Sequence, residues 1–155
     1  MNEVLTYAQK KMYEKKAEAE LQLLIVEGDS NVADLQGFCA GVEVVKTAID
    51  DNGFEVARLE SHEQLDAVDE LDEAVILEYS MDISRLELNP LWLGVGDYLK
   101  EEIAKKKDYL YESAKKGRDL AYVQGWKKAV EFINKTFDLI QARADAIRQQ
   151  PTLDF

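Results

Sequence analysis

The chain of 155 residues has few of the residue types on which most catalytic and metal sites depend. It contains one cysteine, Cys39, and one histidine, His62. A single cysteine excludes an internal disulfide, and we expect its thiol to be packed, as free cysteines usually are. A single histidine cannot supply the two Glu-x-x-His motifs of a di-iron helical bundle, and no Ser-His-Asp or Cys-His set can be assembled. We therefore expect His62 on the surface and a protein that is not an enzyme, with no cofactor and no metal.

Long hydrophobic runs are also missing. No apolar stretch reaches the roughly 18 to 20 residues of a membrane span, so the sequence predicts no membrane association. The first residues lack a positive region followed by an apolar core, so we expect no secretory signal and synthesis in the cytoplasm. An apolar content of 46% is typical of a folded chain, and the length predicts one domain over residues 1–155.

Basic residues are scarce in the middle third of the chain. From Asp50 to Asp97 there are fourteen acids against two bases, Arg58 and Arg85. The remaining residues hold 17 acids and 17 bases, so this region accounts for the whole net charge of -12. Because it would repel phosphates, we expect no direct binding of nucleic acid.

Apolar residues recur every three or four positions in two long stretches, a spacing that indicates helices packed on other helices. The longer stretch predicts an uninterrupted helix, with apolar positions Val123, Trp126, Val130, Ile133, Phe137, Ile140, Ala144 and Ile147. The shorter one predicts a helix over 32–50, with Leu35, Phe38, Val42, Val45 and Ile49. Two further helices are predicted over 2–27, ended by Gly28, and over 97–116, ended by Gly117. The first would bury Leu21, Leu24 and Ile25 along its stripe.

The acidic region over 54–96 allows two interpretations. Apolar spacing favours a helix over 62–79, whereas β-branched and aromatic residues at 54–59 and 74–81 also fit a small β-hairpin. Asn89-Pro90 predicts a break, because a residue before proline is pushed out of the α region. Leu91, Trp92 and Leu93 follow as an apolar group.

The two helical stretches resemble each other, which is consistent with an internal duplication. Leu35-Gln36-Gly37-Phe38 overlays Val123-Gln124-Gly125-Trp126. The glycine beside an aromatic would let each helix closely approach the partner helix of its own hairpin. We therefore predict a mainly α fold of two helical hairpins, 1–53 and 97–150, in a four-helix arrangement with an acidic insert over 54–96 and a tail over 151–155.

The hairpin pattern resembles small helical proteins encoded among the structural genes of tailed bacteriophages. The matching residues are Gly28, Asp34, Gly37, Gly41, Val42 and Ile49 in the first copy, and Gly117, Asp119, Gly125, Ala129, Val130 and Ile133 in the second. The resemblance covers about half of the chain and leaves out the insert. It implies a virion or assembly component whose partners are other virion subunits or further copies of itself.

Three features are candidates for partner binding. Asp66, Asp69, Glu70, Asp72 and Glu73 would form an acidic face, which either keeps the protein soluble or imitates a phosphate backbone, as DNA-mimic inhibitors do. Trp92 either caps the bundle or anchors another subunit. The end of the chain, with Gln150, Leu153 and Phe155, resembles the Gln-x-x-Leu-x-Phe peptides that dock on bacterial sliding clamps. The function predicted first is a non-enzymatic interaction protein, with the DNA-mimic inhibitor and the clamp partner as alternatives.

Overall fold

The computed structural model of the protein describes residues 2–60, 63–112 and 117–150, without the side chains of 109–112 and 117–118. Within these residues it contains no strand, one 3₁₀ turn at Val68–Glu70 and six α-helices. The helices are α1 (Glu3–Gln22), α2 (Asp29–Asp51), α3 (Glu73–Glu87), α4 (Pro90–Glu112), α5 (Gly117–Val130) and α6 (Phe132–Arg148). The prediction of a mainly α fold is confirmed.

Helices α2 and α5 form the centre of the molecule. Helix α1 packs on α2 and α6, helix α4 packs on α2 and α5, and α3 packs on α6 and α1. The two predicted hairpins are thus α1 with α2, and α4 with α5 and α6, and α3 is an additional helix supplied by the insert. One hydrophobic core joins residues of all six helices.

The apolar positions of the two predicted helices, called the first seam (35–49) and the second seam (123–147), line this core. In the second seam the six positions from Trp126 to Ala144 are at most 4% exposed, and in the first seam the four positions from Phe38 to Ile49 are at most 6% exposed. Leu35, Val123 and Ile147, at the ends of the seams, are half-buried. The three-and-four spacing was therefore a correct indication of burial.

The glycines of the repeat bring α2 and α5 into backbone contact. A Cβ added at Gly37 would lie 1.9 Å from the Tyr122 carbonyl oxygen, and one added at Gly125 would lie 1.8 Å from that of Asp34. A shift of 88 residues carries Gly37 onto Gly125 and Asp34 onto Tyr122, so each helix presents equivalent atoms to the other. The contact advances from Tyr122 at Gly37 to Trp126 at Gly41, which makes the two helices parallel. The expectation that each glycine would contact its own hairpin partner was wrong.

The segment between α2 and α3, residues 53–72, is called the strap because it crosses α1. Gln9 is 1% exposed; its amide nitrogen donates to the Glu55 carbonyl oxygen, and its oxygen accepts from the Ala57 N–H, both at 3.1 Å. The Tyr7 hydroxyl donates to the Asp66 carbonyl oxygen at 2.6 Å, and Arg143 donates to that of Val68. Because side chains of α1 and α6 bind its backbone, the strap forms neither the helix predicted over 62–79 nor the alternative hairpin; the helix of the insert is α3.

Four predicted boundaries also need correction. Helix α1 ends at Gln22, and turn bonds from the N–H groups of Leu24 and Ile25 follow it, so Gly28 (φ 97°) precedes α2 instead of ending α1. Helix α4 begins at Pro90, not at residue 97, because proline suits the first helical position and the Asn89 side chain accepts from the Leu91 N–H at 2.9 Å. Gly117 opens α5. A turn at Glu131 interrupts the predicted continuous helix, and no glycine or proline there explains it.

Candidate interaction surfaces

The described residues contain no cluster of three or more His, Cys, Asp and Glu side chains that could hold a metal ion. Cys39 is half-buried against the core, and burial raises the pKa of its thiol. A thiol with a raised pKa is a poor nucleophile because less of it is ionised. His62 and the tail residues Leu153 and Phe155 lie outside the described residues, so the clamp-peptide prediction stays a prediction.

The five predicted acidic residues, here called the acidic cluster, are all exposed. Asp66, Asp69, Glu70 and Asp72 lie on the strap, and Glu73 is the first residue of α3. None of these carboxylates forms an ion pair with a basic side chain in the described part of the chain. The cluster is therefore a surface of carboxylates that face solvent.

Trp92 is half-buried and packs against the hydrophobic core. Its ring lies 5.8 Å from the rings of both Phe54, on the strap, and Phe137, on α6. It thereby joins the start of α4 to two other elements, a structural role that favours the bundle-capping interpretation. Its neighbours Leu91 and Leu93 point to solvent, at 53% and 57% exposed.

An apolar surface that the sequence had indicated as core lies at the end of α1. Leu21, Leu24 and Ile25 are 67%, 80% and 81% exposed, and together they are called the apolar tip. Leu120, 46% exposed in the first turns of α5, lies at the same end of the bundle because α2 and α5 start there side by side. The signal for this surface was the run of residues 21–26, which is aliphatic except for Gln22 and which composition alone does not distinguish from a buried stripe.

Another apolar residue, Leu88, is 83% exposed between α3 and α4. It lies at the opposite end of the bundle, where a Cβ added at Gly94 would approach the side chain of Asn52, just after α2. Leu88, Leu91 and Leu93 lie within six residues at this end, so both ends of the bundle carry exposed aliphatic side chains, and the three at the tip are the more exposed on average.

A groove runs between α1 and the α5–α6 pair and is called the α1–α6 groove. Its two parts enclose about 370 and 380 Å³ and share Phe132 and Lys135. Its apolar lining includes Leu35 and Phe38 of α2, Val68 of the strap, and Leu139 of α6. Four lysines also line it: Lys11, Lys15, Lys128 and Lys135.

A second groove, of about 490 Å³, lies between α1, α2 and the strap. Lys16 crosses it and bonds Glu43 at 3.0 Å, and this hydrogen bond holds the pKa of Glu43 below its usual value. Burial opposes the charge of Lys16, but the bond and the attraction of Glu43 leave its pKa raised. Since three bases and four acids line this groove, it favours no ligand of one charge.

Comparison of the chain with family models, curated proteins and solved structures finds no match. No helix of the described residues is both long enough and apolar enough to cross a membrane. The resemblance to phage proteins is therefore neither supported nor opposed by a relative, and the function has to be argued from the surfaces.

Proposed function

We propose that the protein is a non-enzymatic interaction protein that self-associates through the apolar tip. The observation that carries this proposal is the exposure of Leu21, Leu24 and Ile25, three large aliphatic side chains within five residues. Clustered apolar side chains on an otherwise charged surface typically mark an interaction site. Two tips related by a two-fold axis present the same side chains to each other, so the surface is complementary to itself.

The size of the tip sets the expected strength of association. Transfer of one such side chain from water is worth about 1.5–3 kcal/mol, so six of them offer on the order of 10 kcal/mol. Lost translational and rotational freedom costs at least about 4 kcal/mol. With this minimum cost the difference corresponds to a Kd on the order of 10–100 μM, which is the tightest association that the tip alone supports. We therefore expect a dimer that forms and separates readily.

Sedimentation velocity from about 5 to about 500 μM, which brackets the expected Kd, tests the proposal. We expect the wild-type chain to change from monomer to dimer, and the Leu24→Ser/Ile25→Ser variant to stay monomeric. Leu88→Ser is the matched control, because Leu88 is equally exposed but lies at the other end of the bundle. A wild-type chain that is monomeric throughout, or a dimer lost only in the control, would refute self-association through the tip.

A role in bacteriophage particles or their assembly is the more specific form of this proposal, and the resemblance of the two hairpins is its support. In this form the chain is made in the host cytoplasm and joins the virion through its own copies or other virion subunits. Immunoblotting of purified particles tests it. The chain has to be present in particles and resist a high-salt wash, because apolar contacts tolerate salt.

The acidic cluster favours a second candidate function, inhibition of a nucleic-acid-binding protein by imitation of phosphates. Its support is that the five carboxylates are exposed and unpaired with basic side chains among the described residues. A pull-down from host lysate would compare the wild type with a variant whose five acids are amides. Capture of a DNA-binding protein that duplex DNA displaces, and that the variant no longer binds, is the expected result. Equal capture by both chains would contradict the mimic.

A further inference from the structure

Helix α3 has one face in the core and a second apolar face that is open to solvent. The residues that pack inward are Ile76, Ser80, Ile83 and Leu86. On the outer side apolar residues recur at intervals of three, four and seven, the spacing of one helix face: Ala74, Leu77, Met81 and Leu88. Leu77 is half-buried, whereas Met81 is 52% and Leu88, which caps the helix, is 83% exposed. These four residues are called the α3 face, and they extend over about 21 Å, or four turns.

Polar contacts of Ser80 fix the rotation of α3 about its own axis. Ser80 is 1% exposed, and its hydroxyl donates to the side-chain oxygen of Gln141 on α6. The Gln141 amide nitrogen donates back to the Ser80 carbonyl oxygen at 3.3 Å, and Arg148 donates to the Ser80 hydroxyl oxygen at 3.0 Å. Because a buried polar group without its partners is costly, α3 is held in this orientation and the α3 face stays outward.

Carboxylates flank the α3 face on both sides. With about 3.6 residues per turn, Glu78 and Asp82 lie on one side of it, and Glu73 and Glu87 lie on the other. The three glutamates form no ion pair with a basic side chain in the described ranges. Arg85 is the one base of α3; it pairs with Asp82 at 3.5 Å, and its side chain is 71% exposed. The flanks therefore offer mainly unpaired negative charge.

From this face and its charge we propose that α3 binds a basic amphipathic helix of a partner protein. The apolar side chains of the guest pack along the α3 face as in a two-stranded coiled coil, and its flanking lysines or arginines face Glu78 and Glu87. The region from Asp50 to Asp97, which contains α3, carries the whole net charge of -12, so a basic guest is also attracted from a distance. A second copy of α3 is a poorer guest, because it would set four acids against four acids. The site shares only Glu73 with the acidic cluster and no residue with the apolar tip, so it does not rest on self-association.

The probe for the experiment is a fluorescein-labelled synthetic helix of about 15 residues, long enough to cover four turns. It carries leucines on one face and lysines on both flanks. A second peptide of the same composition has its leucines distributed around the helix, which keeps the charge and removes the apolar face. Fluorescence anisotropy measures the binding of each peptide to the full chain. We expect the amphipathic peptide to bind at least about tenfold more tightly than the redistributed one, and its binding to weaken as salt is raised.

Substitution of exposed apolar residues locates the site. Met81→Ser/Leu88→Ser removes the two most exposed large side chains of the α3 face, and we expect it to bind the peptide at least about fivefold more weakly. Leu24→Ser/Ile25→Ser makes a matched change at the apolar tip and should bind the peptide as the wild type does. In sedimentation velocity the two variants should behave in the opposite way, since only the second removes the tip. Circular dichroism melting confirms that each variant is folded.

Neutralised acids test the charge of the flanks. Glu78→Gln/Glu87→Gln changes two exposed acids of α3, and Asp69→Asn/Glu70→Gln makes the same change of charge in the acidic cluster. We expect the α3 variant to bind the peptide at least about fivefold more weakly and the cluster variant to stay within about twofold of wild type. Arg85→Gln removes the one base of α3 and should bind the peptide about two- to threefold more tightly.

Several results would overturn the proposal: no binding of the amphipathic peptide up to about 500 μM, equal binding of the two peptides, or equal weakening by the α3 and acidic-cluster variants. Equal weakening would mean that the acidic region attracts any basic peptide without a defined site. Loss of self-association in Met81→Ser/Leu88→Ser, with no peptide binding to the wild type, would assign the α3 face to a second copy and also overturn the proposal.

Discussion

Replacement of Gly125 by alanine tests the packing on which the whole bundle depends. The added Cβ would lie 1.8 Å from the Asp34 carbonyl oxygen and 2.7 Å from its carbon. Real contacts of this kind are longer than 3 Å. Both atoms belong to the backbone of α2, so no side-chain rotation can relieve the overlap. The two helices have to move apart by about 1 Å or more, because protein interiors contain few voids to absorb the change.

The size of the effect follows from two opposing contributions. In a helix interior alanine is favoured over glycine by about 1 kcal/mol, which alone would stabilise the variant. Overpacking of a core costs about 1–3 kcal/mol, and separation of α2 from α5 also loosens the contacts of Trp126 and Ala129 with Gly41. We expect a net loss of about 2–4 kcal/mol in the free energy of unfolding. For a chain of this length that corresponds to a Tm lower by about 5–15 °C.

Urea unfolding followed by circular dichroism measures this loss. Gly96→Ala is the matched control, since Gly96 lies within α4 and an added Cβ there meets no atom within 4 Å. It should stabilise the protein by about 0.5–1 kcal/mol. Gly37→Ala should cost as much as Gly125→Ala, because a Cβ at Gly37 would lie 1.9 Å from the Tyr122 carbonyl oxygen. The double variant should lose less than the sum of the two, since one separation of the helices accommodates both methyl groups.

If Gly125→Ala stabilised the protein as much as Gly96→Ala does, the backbones of α2 and α5 could not be in contact. Strict additivity of the two core substitutions would contradict the shared crossing point. Either result would refute the parallel glycine-mediated pair.

Three further predictions concern the core, the strap and the dependence on pH. Val130→Asp should unfold the protein, because Val130 is 4% exposed and an unpaired buried charge costs several kcal/mol, about the whole margin of stability; far-UV circular dichroism measures this. Gln9→Leu leaves two backbone groups of the strap without their partner, at about 1–3 kcal/mol each, and should accelerate tryptic cleavage after Arg58. Burial raises the pKa of Tyr7 from 10.0 to about 12, so the free energy of unfolding should fall as pH rises through this range. Urea titrations at several pH values measure this fall. It should be smaller in Tyr7→Phe but not absent, because burial also raises the pKa of Tyr79.

The outcomes that would contradict these predictions are equally direct. A Val130→Asp chain that melts like the wild type would place the core elsewhere. An unchanged rate of tryptic cleavage would mean that Gln9 does not hold the strap. Stability that is constant from pH 10 to about 12 would mean that Tyr7 titrates alike in the folded and unfolded chain.

The seams could be predicted because burial on one side of a helix imposes its own period on the sequence. Trp126, Ile133 and Ile140 recur at intervals of seven and lie in the core. The strap could not be predicted in this way. Leu65, Val68 and Leu71 fit a helical stripe, and the reason they do not form one lies in Gln9, Tyr7 and Arg143, which are remote in sequence. Local spacing carries no information about such partners.

The apolar tip shows a different limit of the same reasoning. The prediction placed Leu21, Leu24 and Ile25 on one stripe with the buried residues Val4, Ala8 and Met12, but at 3.6 residues per turn Leu21 lies about half a turn away from Met12. The neighbours that cover a stripe are decided by tertiary structure, and α1 ends at Gln22 before a turn. The same residue types therefore indicate a core where a neighbouring helix is present and a binding surface where it is not.

The parallel arrangement of α2 and α5 explains why the region between them has its observed form. A chain that leaves α2 at one end has to return the full length of that helix before α5 can begin. Helix α2 has 23 residues and α4 also has 23, so each is about 35 Å long and α4 alone provides the return. The strap and α3 together therefore leave and return to the same end of the bundle, and the chain does not need them to span it. They are nevertheless packed, since Ile76 and Ile83 of α3 are 0% exposed. The acidic insert thus contributes to the core, and its carboxylates lie on a segment that this packing holds in place.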